Sequence, residues 1–85
     1  MRILPFIEVI WEDAMSTPFW VDRNDLPKAP KHVTRGWLIH EDDKKIILAG
    51  TLQLTEGDAL GEVALILKGM IVSKRVMRIK EPKVK

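Results

Sequence analysis

Val33–Leu54 reads VTRGWLIHEDDKKIILAGTLQL. Two apolar runs, Trp37-Leu38-Ile39 and Ile46-Ile47-Leu48-Ala49, flank a polar knot, Glu41-Asp42-Asp43-Lys44-Lys45. Short apolar runs rich in β-branched residues and separated by turn formers read as strands, so the stretch predicts a β-hairpin with a charged turn. In its second strand Ile46, Leu48, Gly50, Leu52 and Leu54 share one face at period two, the expected core side. Gly50 in mid-strand marks a sharp bend or bulge. Ile47, Ala49, Thr51 and Gln53 occupy the other face.

Upstream, Phe6–Trp11 (FIEVIW) alternates, with Ile7, Val9 and Trp11 on one face, and its β-branched and aromatic content predicts a strand. Residues 13–32 hold Pro18, Pro27 and Pro30 among turn formers, which forbids a long regular element and leaves one helical turn near Arg23–Leu26. A connection of about 20 residues is long for a small domain. Phe19, Trp20 and Val21 predict that it is folded onto the body. Downstream, Glu56-Gly57-Asp58 and Gly61 form a turn, and Glu62–Leu67 is a strand expected to point Val63, Leu65 and Leu67 inward. Lys68-Gly69 is a tight turn, with positive φ expected at Gly69. Met70–Ile79 is the last strand. The sequence thus predicts an all-β, five-stranded small barrel, Sm-like or Src-homology-3-like, as one domain over residues 1–80, with 81–85 a flexible basic tail.

The chain of 85 residues has no Cys, which excludes a disulfide framework and a thiolate metal site. No cofactor is expected. No apolar run reaches the ~18 residues that a membrane helix needs, and the expected location is cytoplasmic. Net charge is +2, unevenly distributed: residues 68–85 carry seven basic residues against Glu81 alone, and residues 1–67 carry seven against eleven acids. A basic C-terminal segment on an acidic body is either a solubility device or a nucleic-acid contact.

Two resemblances bear on these residues. Leu67-Lys68-Gly69-Met70-Ile71-Val72 resembles the second Sm motif, an aliphatic residue, Arg or Lys, Gly, two variable residues and Val or Ile. Gly36, Leu38 and Asp42 fit the spacing of the first. The base-holding Asn of RNA-binding Sm proteins is absent, with Lys45 or Ile46 in its place, and so is the usual N-terminal helix. Over residues 9–75 the chain also resembles a group of small phage and prophage proteins of unassigned function. The match runs through Trp11-Glu12-Asp13-Ala14, Trp20, Thr34–Asp43, Ile46-Ile47-Leu48-Ala49 and Ile66-Leu67-Lys68-Gly69-Met70-Ile71, with Leu67 and Arg35 as departures. That resemblance implies phage origin and an Sm-like barrel, and no enzymatic activity.

The functional expectations follow. Glu41-Asp42-Asp43 reads as a solvated turn rather than a cation site, since consecutive acids diverge. His40 stands without a Ser, Cys or second His at motif spacing, so no enzyme is expected. Three tryptophans suggest either a stacking platform for bases or rings that close the core; Trp11 and Trp20 are expected to close it and Trp37 to face outward. Trp37, Ile47, Ala49, Ala64, Ile66, Met70 and Ile71 form a second apolar set, expected to be the interface of a homo-oligomer, a ring in the Sm manner. The candidate contacts to RNA or single-stranded nucleic acid are Lys44, Lys45, Lys68 and Gly69 on pore-side loops, with Arg75, Arg78 and Lys80. The alternative is a structural or interaction module whose Trp20 loop engages a phage or host protein.

Overall fold

A computed structural model describes residues 4–14 and 16–80; the tail at 81–85 lies outside them. Five antiparallel strands make one sheet: β1 (Phe6–Glu12), β2 (Lys31–Glu41), β3 (Lys45–Leu52), β4 (Leu60–Leu67) and β5 (Ile71–Met77), in the spatial order β4-β3-β2-β1-β5. Single 3-10 turns stand at Arg23–Asp25 in the long loop and at Lys68–Met70 between β4 and β5. No helix among the described residues is long and apolar enough to cross a membrane. The five strands in chain order, the long connection after the first and the one-turn corner before the last match the expected all-β architecture. β4 and β5 are the two edges of the sheet and are not paired with each other.

The core is built from the alternation that the sequence displays. Ile7 and Val9 of β1, Ile46 and Leu48 of β3 and Ile66 of β4 form the buried cluster, with Trp11, Leu38 and Ile71 packed around it. Gly36 of β2 lies opposite Ile7, and a Cβ there would stand 2.8 Å from the Ala49 carbonyl oxygen and 3.2 Å from Leu48 Cβ. Only glycine admits this approach. Trp11 spans the boundary of the core, its indole N–H donating to Thr34 Oγ1 at 2.9 Å, in keeping with a ring that has one apolar and one wet end.

Irregularities curl the sheet. Register shifts fall between Leu38 and His40 of β2 and between Ile10 and Trp11 where β1 meets β5. Glu62 takes φ of 53° opposite Gly50, whose missing side chain leaves room for the Glu62 carboxylate. Such bulges sharpen the right-handed twist. As a result Glu41, at the end of β2, pairs with Lys74 of β5 and with Lys68 of the 3-10 turn, although β1 separates β2 from β5 in the sheet.

Three expectations fail. The row Val63, Leu65 and Leu67 points outward, and Ile66, expected outside, is a core residue. The cause is register: Ile46 pairs with Ile66 and Leu48 with Ala64, so the inward face of β3 dictates that of β4. The long loop does not fold onto the sheet, since Phe19, Trp20, Val21 and Leu26 are all exposed. Its base is closed by Asp13 N–H donating to the Pro30 carbonyl at 3.1 Å. Beyond that bond the hydrogen bonds are local, Asn24 N–H to Asp22 Oδ1 among them, and prolines hold the chain extended. Positive φ occurs at Gly57 and Glu62, not at Gly69, which is absorbed into the 3-10 turn. A radius of gyration of 16.7 Å, against about 12 Å for a compact chain of this length, accords with a loop that stands off the body.

Candidate functional site

The β2–β3 turn is organised by Asp42. Its Oδ1 accepts the backbone N–H groups of Lys44 and Lys45 at 2.8 and 2.9 Å. Its Oδ2 accepts from His40 Nε2 at 2.8 Å and from Lys45 Nζ at 3.0 Å. These donors, His40 first, hold the Asp42 carboxyl far below the usual carboxylate range. The aspartate that fits the first Sm motif is therefore the residue that shapes the turn. Lys68 N–H donates to the Lys44 carbonyl at 2.8 Å, which docks the β4–β5 corner against this turn.

Lys44, Lys45, Lys68 and Gly69 are thus brought together, but most of their charge is spent. Lys45 pairs with Asp42. Lys68 Nζ lies 2.9 Å from Glu41 Oε2, and Lys74 pairs with the same carboxylate. The two lysines, Lys74 foremost, keep Glu41 ionised below its usual range. Lys44 is exposed on the turn with no ion pair among the described residues. Arg78 and Lys80 follow β5 and are also exposed. Arg75 belongs elsewhere. It sits on the outward face of β5, one strand from Glu8 and two from Arg35.

That outward face holds a group that reading the chain residue by residue missed. Glu8 is 7 % exposed. Arg35 Nε donates to its Oε2 at 2.7 Å and Arg75 Nε to its Oε1 at 2.9 Å, with Arg75 NH2 3.4 Å from Oε2. The Arg75 and Arg35 guanidiniums hold the Glu8 carboxyl below its ordinary value, and Glu8 in turn raises Arg75. The one sequence signal was an acid alone between Ile7 and Val9 in an otherwise apolar strand. Its partners are 27 and 67 residues away, beyond any motif.

The expected interface set divides. Trp37, Ile47 and Ala49 lie on the outward face, Ala49 buried between Trp37 and Val63 in register. Ala64 and Ile66 turn inward, and Ile71 packs against the core, so these three leave the set. Met70 is half-buried in the 3-10 turn. Val63, Leu65 and Leu67 stand on the outward face of β4 instead, exposed by 55, 55 and 51 %. No protein-family model matches the chain, and neither curated proteins nor solved structures give a match.

Proposed function

We propose that the chain is a non-enzymatic assembly module, a small Sm-like barrel of phage or prophage origin whose copies join edge to edge in a ring in the host cytoplasm. The observation that carries this reading is β4, an unpaired edge strand whose outward row Val63, Leu65 and Leu67 is half exposed. Sheet edges of isolated domains are ordinarily blunted by charge, proline or covering chain. Between Val63 and Leu67 β4 carries neither charge nor proline.

Pairing β4 with β5 of the next copy satisfies the free backbone groups of both edges and shields one flank of the apolar row. Both edges belong to one chain, so the contact is head-to-tail and generates a ring when its rotation closes. The strand order and the one-turn corner suit a barrel completed in this way. Nucleic-acid binding by the loop lysines draws less support, because the single ammonium groups of Lys45 and Lys68 already face carboxylates and have no second amino group to offer, as a guanidinium has.

Light scattering on the purified protein tests the reading. The expected result is a single species at a multiple of the 9.7 kDa chain mass. A monomer at micromolar concentration overturns it.

A further inference from the structure

We propose that the outward face of β5, β1 and β2 binds single-stranded nucleic acid, with Arg35 and Arg75 clamping a phosphate and the Trp37–Phe6 pair carrying the adjacent base. The clamp is built around a buried acid. Glu8 shows 9 % of its side chain to solvent, whereas Arg35 and Arg75 show 55 and 67 %. Neutralising Glu8 takes one arginine; the second leaves that rung with a net positive charge. Each guanidinium is tied to Glu8 mainly through Nε, and the terminal amino groups of Arg35 have no partner among the described residues. Two planar forks are held in place with N–H donors free, the arrangement that suits bidentate contact to phosphate oxygens. Because Glu8 orients both arginines in advance, little side-chain entropy is lost on binding.

The neighbouring rung of the same face is aromatic. Phe6 pairs with Trp37 on one side and Met77 on the other, and the Phe6 and Trp37 rings meet edge to face with centroids 5.1 Å apart. Together with Leu4, Arg78 and Ile79 they line a cleft of about 300 Å³. Rungs on one face of a strand are ~7 Å apart, so a nucleotide laid along β1 sets its base by the rings and its phosphate by the arginines. Stacking accepts any base, and the arginines read only the backbone, so binding is sequence-tolerant and salt-dependent. The clamp uses side chains on the face of the sheet, and its Arg75 stands on β5, the edge strand that the assembly reading also uses.

The test is fluorescence polarisation with a labelled single-stranded oligonucleotide at two salt concentrations, alongside unlabelled AMP. The variants are E8Q/R35Q/R75Q, which removes both cations without stranding a buried acid, and K44Q/K45Q/K68Q at the loop end. Circular dichroism verifies that each is folded, and R35K, which keeps the charge and loses the fork, serves should the triple variant unfold. Binding by the native chain is expected to fall with salt. It should weaken at least about tenfold in E8Q/R35Q/R75Q, with the log–log salt slope reduced by about 0.7 for the one phosphate that the clamp holds. The lysine variant should bind like the native chain, and R35K more weakly. No binding at low salt, loss confined to the lysine variant, or unchanged affinity in the arginine variants overturns the proposal. AMP binding as tightly as the oligonucleotide overturns the strand in favour of a free nucleotide.

Discussion

Val63, Leu65 and Leu67 stand on one face of β4 and Ala64 and Ile66 on the other, and the bulkier row is the exposed one. Ile66 is 3 % exposed, while each residue of the other row is about half exposed. Hydrophobicity taken alone ranks the two rows the other way round. The difference is set across the strand pair. Ile46 and Leu48 of β3 are committed to the core, and antiparallel pairing places Ile66 and Ala64 beside them. A strand that is apolar on both faces leaves its own orientation undetermined, and the partner strand decides which row is left exposed.

The sharpest way to break this comparison is to truncate each row. Ile66→Ala removes a buried side chain and is expected to lower stability by about 2–5 kcal/mol, measured by denaturant unfolding. Leu65→Ser on the opposite face should leave monomer stability within about 0.5 kcal/mol and shift the light-scattering mass toward 9.7 kDa. Equal stability losses in the two variants would show that both rows are core. Gly36→Ala tests the same inner packing from β2. Its Cβ would meet the backbone of Ala49, and a loss of about 1–3 kcal/mol is expected; an unchanged melting temperature would show that β2 and β3 can separate there.

A smaller effect comes with acid. Glu8, Glu41 and Asp42 all have carboxyls held below their ordinary values by cationic or N–H donors. The unfolded chain therefore takes up protons at higher pH than the folded one. Their stabilisation is complete above the usual carboxylate pKa of about 4 and is lost as pH falls through the lower folded values. Melting temperature should be flat from neutral pH down to about 5 and decline below 4. A Glu8→Gln variant should show a shallower decline, and an identical profile would remove Glu8 from the acid-sensitive set. The smallest effect belongs to Trp20→Ala, with no change in melting beyond about 0.5 kcal/mol. A larger loss would mean that the loop does pack on the sheet.

The two loop-end acids and Glu8 show how far local reading extends. Asp42 was legible as a turn residue because its partners, His40, Lys44 and Lys45, lie within three residues. Glu8 was not, because Arg35 and Arg75 come from other strands. Trp11 and Trp20 make the same point for apolar groups. Both are rings beside turn formers, yet Trp11 reaches Thr34 and the core across the β1–β2 pair, whereas Trp20 lies past the closed base of its loop and is fully exposed.

The sequence by itself determined the strands, their order along the chain, the charged hairpin turn and the inward face of β3. Each of these is written in a period of two or in a turn dipeptide, and both are local. The tertiary structure decided which face of β4 is buried, that the long loop stands free, that Lys45 and Lys68 are paired, and that Arg35 and Arg75 share Glu8. These depend on register between strands, and register is a relation between distant segments that neither segment carries alone.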